Sequence, residues 1–282
     1  MHENIPYQAS FVPLGSVEPH EHLLNVPPDG QLLYKMFTIE NFLRSIVGAY
    51  LHFNRVDNYI DLDPNDGLQL PKDLQGNAST RFAKAPDFSA ADYYDQSRTR
   101  TYACCFSLEN SDFIWCNYAN DSEKGKVCIV FDFSKLRFRL NQALSPGNIA
   151  FEYNGKRCHQ IFSINYGIIE YIEWDRQQAN EAHLPNPIKY TYLKGKKFSG
   201  DKELRVSLSA LGIGQFALNN GNILDFPPSL PMLFDFRAAI EDGTITQILH
   251  ATDCDSGFLH AELHKLGIFP SEGSDKPLNK EM

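Results

Sequence analysis

The sequence has no long apolar run. Nothing in it approaches the ~20 residues that a bilayer helix needs, so no membrane contact is expected. The opening residues, MHENIPYQAS, lack the basic-then-apolar pattern of a signal peptide, and a cytoplasmic address is the expectation. An excess of positive charge is also missing. Lys and Arg number 26 against 35 Asp and Glu, a net charge of −9. That argues against broad electrostatic capture of nucleic acid and leaves only a local basic groove open. The six cysteines form no C-x-x-C pair, which favours buried thiols over disulfides. There is no Walker sequence and no G-x-S-x-G elbow, so neither a P-loop NTPase nor an α/β-hydrolase is supported. Gly212 to Ala217 imitates a dinucleotide fingerprint, but Asn219-Asn220-Gly221 breaks the helix that should follow. Internal repeats are absent.

What is present is ordinary globular material, 43% hydrophobic and 22% charged over 282 residues. The spacing predicts an N-terminal arm over 1–30, a single domain over 31–269, and a polar tail over 270–282. The domain opens with a strand at Leu32–Phe37. A helix follows, with Thr38 as its N-cap and Gly48 near its C-cap, and then a strand at Tyr50–Phe53. Residues 65–100 read as a long polar insertion loop, with a short helix near Ala90–Gln96. Its basic residues alternate with aromatics, a mixture that suits either a single-stranded nucleic-acid groove or a solvated surface. The most organised stretch is Thr101–Phe133, which reads as strand, short helix, turn and strand. Trp115 and Tyr118 stand three apart there, close enough to share a helix face. Further strands are expected over 134–190, at 203–208 and at Thr244–Leu249, and a helix at Gly257–Leu266. On the strand near 203, Glu203 and Arg205 take one face and Leu204, Val206 and Leu208 the other.

Several of these residues carry a resemblance. Tyr34-Lys35, Gly48, Phe53, Arg55, Asp57 and the loop Asp61–Pro64 come first. Cys105-Phe106-Ser107, Trp115, Tyr118, Gly125 and the strand to Phe131 follow, and then Lys197, Phe198, Glu203 and Arg205. In this order they resemble a bacterial domain family of unknown function found among phage-defence genes, of the abortive-infection type. Here Asn65-Asp66-Gly67 stands where that family has a bulkier aromatic. More remotely, the early strand-helix-strand with a late-strand Glu is similar to ADP-ribosyltransferases. That resemblance implies an α+β fold, a split mixed β-sheet with short helices around NAD as substrate. It implies Glu203 as the catalytic residue and Tyr34, Lys35, Arg55, Asp57, Trp115 and Tyr118 around the cofactor, with Lys197 and Arg205 in support. No metal is expected. The chain lacks the Gln/Glu-x-Glu motif that protein-modifying members often show, and Lys202 precedes Glu203. The resemblance therefore implies a nucleic-acid acceptor, RNA among the options, or plain NAD hydrolysis.

The implied function is a defence toxin, an NAD-dependent mono-ADP-ribosyltransferase held in check by a neutralising antitoxin or sensor partner. Three other readings stay open. One is an NAD glycohydrolase. Another is a metal-dependent nuclease, in which Asp57, Asp61, Asp63 and Glu203 collect a divalent ion. The last is a non-catalytic sensor, in which the charged and aromatic pairs are structural. His260 and His264, four apart, and His20 with His22 have metal-ligand spacing, but a structural role fits them better.

Overall fold

Which residues alternate along the strands decides how the sheet is covered. In the computed structural model the described residues are 17–19, 21–83, 85–144, 152–153, 156–157, 162–174, 187–210, 216–217, 223–224 and 226–268. The expected tail over 270–282, the Asn154-Gly155 turn, Gly212–Gln215, the loop at 175–186, Cys158 and His20 lie outside them. Eight strands form the main sheet: β1 (Leu32–Thr38), β2 (Tyr50–Arg55), β3 (Thr101–Ser107), β4 (Lys126–Asp132), β5 (Phe162–Ile168), β6 (Glu203–Ala210), β7 (Ser229–Leu233) and β8 (Ile245–His250). The helices are α1 (Ile39–Gly48), α2 (Pro71–Ser79), α3 (Ala90–Arg98), α4 (Asp112–Asn117), α5 (Phe133–Ala143), α6 (Phe236–Glu241) and α7 (Ser256–Lys265). None is long and apolar enough to cross a membrane among the described residues.

The strands lie in the order β7-β2-β3-β1-β4-β8, with β6 on the other edge of β3 and β5 beyond β6. All of these pairings are antiparallel. The α+β class with short helices holds, but the sheet is not mixed. The parallel pairing among the described residues, Glu170–Ile172 with Leu193–Gly195, stands outside it. The run Gly167–Trp174 is therefore not one strand. It leaves β5 at Ile169 and enters this second pair.

β3 is the branch point. β6 occupies the whole of one edge, from Thr101 opposite Ser209 to Ser107 opposite Glu203. Its other edge is shared, with β2 pairing at Tyr102 and Ala103 and β1 pairing only at Ser107. Between those contacts the two strands fork away from β3. Lys35 reaches into the fork and donates from Nζ to the Cys105 carbonyl at 3.0 Å.

One face of the sheet is apolar and is covered by α1, α5, α6 and α7 through Phe42, Leu136, Leu140, Phe236, Leu259 and Leu263. The other face is divided. Over β1, β4 and β8 it is apolar, with Ile114 and Trp115 of α4 packed on Cys128, Val130, Leu249 and Ala251. With both faces covered, β4 is buried without a break from Val127 to Phe131, which explains its unalternating sequence. Over β3, β6 and β5 the second face is polar, with Glu203, Arg205, Ser207, Asn165 and Ser163 all buried.

The 65–100 stretch is not a loop. It holds α2, α3 and a short hairpin between them, and Leu70 and Tyr94 pack on Ile172, Tyr190 and Leu193. Ser89 and Asp92 form a reciprocal capping box at the start of α3. The N-terminal arm is docked in part. Ile164 and Ile168 of β5 donate to the carbonyls of Val17 and Asn25, and Arg137 of α5 grips Glu18 at 2.5 Å.

A candidate active site around Glu203

Strand alternation puts Glu203 and Arg205 on the polar face of β6, where segments from three parts of the chain close over them. Arg205 is 1% exposed and Glu203 4%. Both are thus fully buried on that face. Arg205 donates from Nε to Glu203 Oε1 at 2.8 Å. Its two terminal nitrogens take both oxygens of Asp66 at 2.6 and 2.9 Å, and Nη1 also reaches the Thr191 carbonyl. This is the fork-to-fork geometry in which guanidinium binds carboxylate or phosphate most strongly.

Lys194 completes the network. Its Nζ donates to Glu203 Oε2 at 3.1 Å and to Asp201 Oδ2 at 2.6 Å. Tyr118 donates its hydroxyl to Asp201 Oδ1 at 2.6 Å, and the Glu203 backbone N–H donates to the Tyr171 oxygen at 2.8 Å. The Arg205 guanidinium lies over the Tyr59 ring, and Tyr59 meets the Cys105 thiol. Two cations thus face three carboxylates in a dry site. Such a network costs desolvation and tolerates the loss of no single partner.

The electrostatics follow from these contacts. Burial pushes the Glu203 carboxyl up, but Arg205 and Lys194 outweigh it and hold the pKa down at about 2. Burial pulls Lys194 down, yet Glu203 and Asp201 raise it overall. Burial, with Glu203 beside it, pushes the Cys105 thiol up to about 12, so it does not ionise into a nucleophile. Tyr118 is raised by burial and by its bond to Asp201, and it remains a hydrogen-bond donor. Asp63 sits at the margin. It is buried, its Oδ2 has no partner among the described residues, and burial with Asp66 nearby raises its pKa.

Of the residues singled out from the sequence, Glu203, Arg205 and Tyr118 are gathered here. Lys197 lies at the rim, exposed, with its ammonium 4.7 Å from the centre of the Phe198 ring. The others go elsewhere. Tyr34 and Lys35 point to opposite faces of β1. Tyr34 packs beside Trp115 in the apolar cluster under α4, and Lys35 fills the fork. Trp115 is a core residue, 2% exposed, with its indole N–H held by Asn110. Tyr118 falls beyond the helix end with extended backbone and is 41% exposed. The two rings therefore form no common stacking platform. Arg55 and Asp57 grip each other at 2.6 and 3.0 Å. They sit at the start of β3, five residues and roughly 16 Å from its Glu203 end.

The acids of the nuclease reading are partly engaged by cations. Asp57 is held by Arg55, both Glu203 oxygens are taken by cations, and among the described residues no group of three or more acidic, His or Cys side chains is poised for a metal. His260 instead packs against the buried His250 ring. A hollow of about 320 Å³ lined by Ser134, Lys135, Phe138, Asp242 and Thr244 shares no residue with the network.

Sequence reasoning missed Asp66, Lys194, Asp201 and Tyr171. Only Asp201 and Lys194 carried a local signal, as polar residues within the lysine-rich turn before β6. Asp66 and Tyr171 come from distant segments brought in by the fold. One backbone feature adjoins the site. Lys202, directly before Glu203, is left-handed at φ 45°, which for a lysine costs about 1 kcal/mol, and its carbonyl is fixed by the Leu108 N–H at 2.8 Å. Comparison with protein families, curated proteins and solved structures finds no match for the chain.

Proposed function

We propose that the chain is a bacterial defence toxin that consumes NAD, with Glu203 as its catalytic carboxylate and a macromolecule, nucleic acid before protein, as acceptor. One observation carries this reading. A carboxylate is kept ionised, at about pKa 2, inside a water-poor site at the end of a late strand. In the reaction the bond between ribose C1′ and nicotinamide breaks, and nicotinamide leaves with the electron pair. The positive charge that develops on the ribosyl carbon needs a fixed negative partner, which Glu203 supplies. An acceptor oxygen or nitrogen then bonds to C1′ and gives up its proton to solvent water. With water as acceptor the outcome is hydrolysis. The Arg205 fork has the geometry to grip a diphosphate, which would have to displace Asp66 to reach it. The forked sheet at β3 supports a split-sheet architecture of the ADP-ribosyltransferase kind, in a cytoplasmic protein with a neutralising partner. The abortive-infection resemblance belongs to the same proposal.

The second reading is a non-catalytic sensor or binding protein. It is favoured by the same network, because both Glu203 oxygens are occupied and substrate must displace Lys194 or Arg205 to reach them. Purified protein incubated with labelled NAD and cell extract separates the two. Nicotinamide release that falls by about 100-fold or more in Glu203→Gln, with the variant still folded, supports catalysis. A folded wild type that releases none returns the network to a structural role.

A further inference from the structure

The turn Lys196–Lys202 runs against the charge of the whole chain. Within residues 194–202 stand four lysines and one acid, in a protein of net charge −9. The acid, Asp201, is buried and committed to Lys194 and Tyr118. Lys196, Lys197 and Lys202 face solvent. Lys196 makes an exposed pairing with Glu173 at 3.4 Å, and Lys197 lies within electrostatic reach of Asp63.

Two half-exposed rings adjoin the lysines. Phe113 on α4 is 39% exposed and Tyr118 is 41% exposed. Gly200 makes this one surface, because a side chain there would come within 2.7 Å of the Phe113 ring. The Tyr118 bond to Asp201 ties the other ring to the same turn. Rings that offer an open edge or face beside solvent-facing ammonium groups match bases that are unpaired, with their phosphates alongside. A duplex hides its base faces and would use only the charges.

We propose that this surface, formed by Phe113, Tyr118, Lys196, Lys197 and Lys202, binds single-stranded nucleic acid. The bases lie on the two rings and the phosphates on the three lysines. Binding stands on this surface alone. The role of that strand as the acceptor, one residue from Glu203, rests on the NAD-consuming reading above.

The test is fluorescence anisotropy of the full chain with a labelled 15-mer of uridine, titrated with salt. Three neutralised phosphates give a slope of log K against log salt of about −2. Lys196→Ala with Lys197→Ala weakens binding about tenfold and flattens the slope, while the double arginine variant restores both. Phe113→Ala weakens binding and leaves the slope alone. These positions are exposed or half-exposed, and thermal melts verify folding. The proposal is overturned by no binding at low salt, by a duplex or polyglutamate competing as well as the 15-mer, or by variants that bind like wild type. Nicotinamide release without oligonucleotide binding sinks this surface and spares the NAD reading; binding without release does the reverse.

Discussion

Glu203 makes an acid-stability prediction with a definite sign. Its folded pKa is about 2 against an ordinary 4.5, so the folded state is stabilised wherever the unfolded carboxyl is ionised. That contribution, about 3 kcal/mol at ~1.4 kcal/mol per pKa unit, is complete above about pH 4.5 and is lost as pH falls toward 2. Asp63 has the opposite sign. Its pKa is raised, so its protonation in acid opposes part of the Glu203 loss. Urea unfolding from pH 7 to 2 is expected to show stability falling below about pH 4.5. Asp63→Asn steepens that fall, and Glu203→Gln flattens it. Parallel acid limbs for all three proteins would contradict these assignments. The sequence disclosed Glu203 and Arg205 because alternation on a strand is a local property. It did not disclose that they are buried, since Asp66 lies more than a hundred residues away in the chain. Trp115 and Tyr118 misled for a related reason. Their spacing fits a shared helix face, but α4 ends at Asn117 and only Trp115 is held in the core.

At the scale of elements, α1 shows how far local signals reach. Thr38 caps it as expected, accepting from the Asn41 N–H at 3.2 Å. The C-terminal signal was displaced by one residue. Gly48 is the last helical residue, and Ala49 takes the left-handed position at φ 49°. Gly48 is needed for space instead, because a side chain there would come 2.6 Å from the Tyr50 ring. Ala49→Gly should therefore stabilise the protein by about 1 kcal/mol, read as a rise in melting temperature, whereas Gly48→Ala should destabilise it. Equal effects of the two changes would refute the assignment. The strands β1, β3, β4 and β6 were legible because each is an uninterrupted or alternating apolar run. α5 was not expected, although Phe133, Leu136 and Leu140 recur at helical spacing behind an Asp132 cap. Polar residues between them masked the pattern. α2 is hidden similarly, since it buries Asp73 and Asn77, side chains that read as loop, whereas α3 meets the expected short helix near Ala90–Gln96.

For the whole molecule, the arm and the fork matter most. The arm covers the outer edge of β5, which would otherwise offer unpaired backbone groups to another chain. Deleting residues 1–26 should lower the melting temperature and promote association, visible by light scattering. A monomeric deletion variant that melts with wild type would show that the edge needs no cover. The fork has a consequence for synthesis on the ribosome. β1 and β2 are made first, yet neither pairs with the other. β1 waits for β3 and β4, and β2 waits for β3 and for β7, near the end of the chain. A nascent chain released only as far as residue 100 owns two strands of the main sheet and a partner for neither. Its opening third stays a client for chaperones until β3 and β4 emerge, and the β2 edge stays open until β7 follows.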